Sequence, residues 1–107
     1  MILRTDNYIN GKTGEEVGSI TPIFDDEGKP ILMAAPVGFR GSTTIGMKVD
    51  GQPQPYAVHF PIDAKNIVDA FENFIKFRDI EIESMKSEAI KREMAGGPKI
   101  EFFIPQI

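Results

Sequence analysis

His59 is the only histidine in the chain, so any Ser-His-Asp arrangement or imidazole general base must use it. It sits in "YAVHFPI" on the polar side of an alternating run, where a lone histidine is an ordinary surface side chain. His59 and Asp63 in "HFPID" straddle a strand end and a helix cap, which is not the one-face i, i+4 spacing of a zinc helix. "DDEG" at residues 25–28 lacks the later oxygen ligands and the closing glutamate of a calcium loop, and reads as a hairpin turn. Gly38, Gly41 and Gly46 are followed by neither a lysine in phosphate-loop register nor a helix. The carboxylates of "DIEIESMKSE" alternate with lysine and apolar residues, the pattern of a solvated helix face. Arg40 remains, set between Phe39 and Gly41 ahead of the alternating "STTIGMKVD". That corner is either the lip of a phosphate-gripping surface or the turn that positions a strand.

The 107 residues include 12 Lys+Arg and 16 Asp+Glu, for a net charge of −4, and both halves of the chain carry the same excess of acid. An acidic balance opposes indiscriminate duplex binding, which runs on many phosphate-neutralising lysines and arginines, but leaves room for a local basic groove. With no cysteine there is no disulfide framework, thiolate metal site or thiol nucleophile. The apolar stretch of "MILRTDNYING" is too short for a signal-peptide core, and "ILMAAPVGF", broken by Pro36, is too short to span a membrane. A single domain over residues 1–107, soluble and cytoplasmic, with no membrane contact, is expected.

These residues need elements to position them. Residues 1–16, with Asn10-Gly11 as a turn signal and few apolar side chains, predict an irregular lead-in or short hairpin. Residues 17–62 predict four antiparallel strands in series: "GSITPIF", the returning "KPILMAA", "STTIGMKVD" and "YAVHFPI", with "GQPQP" as the last turn. Thr43, Ile45, Met47 and Val49 share one face of the third strand; Tyr56, Val58, Phe60 and Ile62 share one face of the fourth. Asp63 is the expected cap of a helix over residues 63–95, which ends at Gly96-Gly97. At about 1.5 Å per residue that helix would run about 46 Å, so it either breaks near 78–80 or projects. Val68, Ile75, Ile82 and Ala89, seven apart, suggest a seam for a second helix. "KIEFFIPQI" predicts a last strand over 98–105, in this sheet or a partner's. Of the eight Phe and two Tyr, Phe39 and Phe103 are expected nearest the surface, where either stacks a base or enters a dimer interface.

The segment "GFRGSTTIGMKVDGQPQPYAVHFPIDAKNIVDAF" resembles the middle of the single-stranded-DNA-binding transcriptional coactivator and Whirly-like fold. It offers an aromatic-basic-glycine corner at Phe39-Arg40-Gly41, a strand, a turn, a strand ending in the Asp63 cap, then an amphipathic helix. The resemblance covers about a third of the chain and implies a curved antiparallel sheet that holds single strands, with helices forming a dimer. The chain differs in its acidic total, its longer helical segment, its extra last strand and the lack of tryptophan.

The expectation is therefore an α+β domain: an antiparallel meander of four to five strands, one long helix on one face, then a short last strand, assembling as a homo-oligomer. Its leading function is a non-enzymatic module holding single-stranded DNA or RNA, without cofactor or metal. Arg40, Lys48 and Lys29 would meet phosphate, and Phe39, His59 and Tyr56 would stack on or hydrogen-bond to bases. The rival reading is an assembly protein whose sheet face meets another protein; a small-ligand site at a subunit boundary comes third.

Overall fold

The computed structural model describes residues 1–105 and contains five strands and two helices. Strands β1 (Ile2–Ile9), β2 (Glu16–Phe24), β3 (Gly38–Val49) and β4 (Gln52–Ile62) follow one another as an antiparallel meander, and β5 (Ile100–Phe103) returns to pair with β3. The fold is α+β, as the pattern of alternating runs followed by a helical segment predicts. β3 is the central element. Along one edge it pairs with β2 over residues 38–42 and with β5 over 46–49, while β4 runs along the whole of its other edge.

The β3–β4 hairpin turns at Asp50-Gly51, with φ of 49° and 84° at the two residues and Val49 opposite Gln52. Two consecutive left-handed residues make the turn whose twist matches the flanking strands, and Asp-Gly is a preferred pair for it. "GQPQP" is consequently not the turn: Gln52 to Pro55 already belong to β4. Its prolines are compatible with pairing because β4 is an edge strand. Pro53, Pro55 and Pro61 alternate onto the same side of the backbone, and their nitrogens face the free edge rather than β3. They also remove three donors that would invite another strand to pair there.

Two other expectations are corrected. Of the two readings of residues 1–16 the irregular lead-in fails and the hairpin holds: they supply β1, which turns back into β2 after Asn10-Gly11 as an edge strand so exposed that it shows no buried alternation. "KPILMAA" is not a strand: after one isolated bridge between Phe24 and Pro30, residues 31–37 leave the sheet as an arch. Proline at both ends of this segment removes ladder donors, and Met33 adopts φ 55°, a left-handed conformation that breaks an extended run. The turn before it is as expected, with the Asp25 carboxylate accepting from the backbone N–H of Glu27 and Lys29, both at 2.9 Å.

Helix α1 (Ile67–Glu72) starts at Asn66, not Asp63. The Asn66 side chain accepts from Asp69 N–H at 2.9 Å, and the Asp69 carboxylate reaches back to Lys65 N–H, so two otherwise unpaired donors are satisfied. The helical segment breaks at Asn73, whose side-chain amide donates to Asp63 O at 3.1 Å, and α2 (Phe74–Met94) then passes through residues 78–80 without interruption. That break undoes the seven-residue seam. Ile82 and Ala89 point inward, while Val68 and Ile75 are left outside. α2 ends where Gly96-Gly97 predicts: Gly96 has φ 93°, and Gly97 N–H donates to Arg92 O at 2.8 Å.

Both helices cover one face of the sheet. The core gathers Val17, Phe39, Ile45, Val58, Phe60 and Ile62 beneath Ala70, Phe74 and Ile82. Phe60 and Phe74 meet edge to face, with ring centroids 5.1 Å apart. Gly41 makes this possible, because a Cβ there would lie 2.4 Å from the Phe60 ring.

Candidate functional site on the open sheet face

Neighbouring residues of a strand point to opposite faces, so with Phe39, Gly41 and Ile45 turned to the helices, Arg40, Ser42, Thr44, Gly46 and Lys48 form a row on the uncovered face. At about 3.3 Å per residue, Arg40 and Lys48 stand about 26 Å apart. The row is flanked by small or flat positions: Gly18 and Pro61 lie opposite Arg40, Ala57 opposite Thr44, and Pro55 opposite Gly46. The resulting floor is shallow, which suits an extended ligand lying along it better than a compact molecule that needs a pocket.

At the Arg40 end the guanidinium is exposed and, among the described residues, forms no ion pair. Next along the row, Ser42 Oγ lies 2.8 Å from His59 Nδ1, a bond between two residues directly opposite in the hairpin. This hydroxyl–imidazole pair has the first two members of a nucleophilic triad without the third: among the described residues no carboxylate hydrogen-bonds to the imidazole. Held by Ser42 at one ring nitrogen, His59 remains exposed on the open face.

At the Lys48 end the backbone of Gly46 is overlaid by the ring of Phe103, which a Cβ on Gly46 would meet at 2.3 Å. The Lys48 ammonium stands 5.7 Å from the centroid of that ring, within range of attraction by its electron-rich face. Phe103 remains 38% exposed and, with Thr44, Pro53 and Pro55, borders a depression of about 320 Å³. The register partner of Lys48 is Glu101, whose carboxylate is drawn to Lys99 at 3.3 Å. Across the sheet, Glu16 faces Ser42. The charge of this face is therefore mixed, with the cations concentrated on β3.

Of the residues expected to act together, Arg40, Lys48 and His59 share this face. Phe39 does not: it is 7% exposed and packs in the core under the helices, so it is unavailable to stack a base. Lys29 lies in the β2 turn, 3.5 Å from Glu27 and away from the row. Tyr56 belongs to the helix-covered face, with its ring centroid 5.7 Å from that of Phe102. The aromatic residue of the site is Phe103. Phe103 was one of the two rings expected near the surface, whereas Ser42 and Thr44 were missed, although counting partners outward from Asp50-Gly51 puts Ser42 opposite His59.

Among the described residues no three metal-ligating side chains come together, and no helix is long and apolar enough to cross a membrane. In comparison with known proteins, the chain matches no family model, no curated protein and no solved structure.

Proposed function

We propose that this protein holds single-stranded nucleic acid on the open face of its sheet, without catalysing a reaction. The observation that carries the proposal is the β3 row: Arg40, the Ser42–His59 pair, Thr44, and the Lys48–Phe103 pair lie on one flat face. Cations spaced along a strand suit a phosphate backbone, an exposed ring offers a base a stacking surface, and hydroxyl and imidazole groups hydrogen-bond to base edges. The resemblance to the coactivator and Whirly-like fold is in keeping with the same face: Phe39-Arg40-Gly41, expected as a corner, lies inside β3, and Arg40 is its member that reaches the open face.

Two cations make this a low-charge interface. For two phosphate contacts on a single strand, log K falls by about 1.4 per tenfold rise in salt, far less than for a basic protein. The test is fluorescence anisotropy of a labelled single-stranded oligonucleotide titrated at low and near-physiological salt, with duplex alongside. Micromolar binding that prefers the single strand and loses its salt dependence in Arg40→Ala/Lys48→Ala is expected. No binding at low salt, or equal binding by the double variant, rejects the proposal.

A second reading, a protein-interaction module acting as a homo-oligomer, is favoured by one specific observation: the chain exposes 7671 Å². A compact monomer of 11.9 kDa exposes about 5,950 Å². The two readings are compatible, since a dimer leaves the open face of each sheet available.

A further inference from the structure

Residues 30–37 read "PILMAAPV", eight apolar residues in succession. They are not packed inside: Leu32 is 87% exposed, Met33 99% and Val37 72%. Nor is the arch loosely attached. Ile31 N–H donates to Ile23 O at 2.9 Å and Val37 N–H to Ile20 O at 2.8 Å, so both feet are pinned to β2 and the apolar crown is pushed outward. A soluble chain that presents such a crown has an apolar partner for it.

A receptive surface exists at the far end of the sheet. Among the described residues β5 has one edge on β3 and the other unpaired, and with α2 it borders a cleft of about 300 Å³ lined by Ile90, Ile100 and Phe102 together with the charged Lys86, Glu93, Lys99 and Glu101. Ile90 is 58% exposed there. The arch joins β3 at Gly38 whereas β5 pairs with residues 46–49, about 30 Å further along the strand, so a chain cannot fill its own cleft.

We infer that the arch at residues 31–37 docks into the α2–β5 cleft of a second copy of this chain, and that two copies exchange arches about a two-fold axis. Arch and cleft lie about 30 Å apart along β3, so an antiparallel pair makes both contacts at once and closes the assembly. Each chain exposes about 1,700 Å² more than a compact monomer of its mass, so there is surface to spare for an interface of standard size. The shape agrees too, with a radius of gyration of 17.1 Å against about 13 Å for a compact chain of this length. The carboxylates of Asp25, Asp26 and Glu27 at the foot of the arch argue against an anionic lipid surface as the partner.

Sedimentation equilibrium of the intact protein at micromolar concentration is expected to give a dimer. Leu32→Asp/Met33→Asp changes two side chains that touch little in the single chain, so it keeps the circular dichroism of the parent while weakening the dimer at least tenfold. Because the chain has no cysteine, the contact itself can be read: Met33→Cys and Ile90→Cys proteins, mixed and oxidised, are expected to form the mixed disulfide. A monomeric parent, an aspartate variant that stays dimeric, or Met33→Cys chains that cross-link only to one another overturns the inference. So does a monomer that floats with phosphatidylcholine–phosphatidylserine vesicles. None of these outcomes depends on the oligonucleotide titration, so this contact and the nucleic-acid reading fail separately.

Discussion

Gly41 and Gly46 lie five residues apart on β3, and each clears the way for a phenylalanine ring from a neighbouring strand. Under Gly41's partner Phe60 the helices close the space: the ring is 1% exposed and held edge to face by Phe74. Over Gly46 no helix of the described residues closes it. Phe103 is 38% exposed, carried by a four-residue strand, and its other neighbour is the Lys48 ammonium. The same local device therefore builds core on one face and a presented aromatic surface on the other. A glycine beneath a ring says that the ring lies flat on the sheet; what stands above the ring decides whether it stabilises the fold or remains available to a ligand.

The largest effect that tests this contrast is expected from Phe74→Ala. Removing the ring that covers Phe60 leaves a cavity in the only helix-to-sheet aromatic contact among the described residues, at a cost of about 3–5 kcal/mol by urea denaturation. Gly41→Ala comes next. Its methyl group would enter the Phe60 ring, which Phe74 prevents from moving aside, so overpacking is expected to cost about 1–3 kcal/mol in the same measurement. Gly46→Ala makes an equally short approach, but Phe103 can swing into solvent, and a stability loss under half that of Gly41→Ala is expected. Equal losses at the two glycines would erase the distinction between the faces.

The open face is sharpened by two smaller effects. Phe103→Ala is expected to weaken single-strand binding by about 1–3 kcal/mol, the worth of one stacked base, with little change in unfolding midpoint. Loss of stability without loss of binding would return Phe103 to a purely structural role. Ser42→Ala, which frees the His59 imidazole from an exposed hydrogen bond, is expected to alter stability by under about 1 kcal/mol, read from the denaturation midpoint.

Much of the sheet was legible because β3 and β4 alternate strictly and the alternation reports burial on one face. The same rule separates Phe39 from Arg40: adjacent strand residues cannot serve one surface, so a site containing Arg40 excludes Phe39. β1 was illegible for the opposite reason. As an edge strand with most side chains in water, it obeys no burial pattern, and only its pairing with β2 makes it a strand. The arch misled because an apolar run bounded by turn signals has the composition of a buried strand, whereas its prolines and the left-handed Met33 remove it from the ladder. The helical segment, expected either to break near 78–80 or to project, breaks at Asn73, whose side chain is tied to Asp63 O in a contact between residues ten apart that spacing alone does not reveal.

By itself the chain's order of residues determined the α+β class and the parity that puts Thr44, Gly46 and Lys48 on a common face, since these follow from local backbone preferences and a side-chain period of two. Tertiary structure decided which face the helices cover, and so which of Phe39 and Phe103 is core and which is surface. It also brought β5 across from the far end of the chain to set Phe103 beside Lys48. Both depend on packing between residues distant in sequence, where the free energy comes from apolar area removed from water rather than from the preference of any one segment.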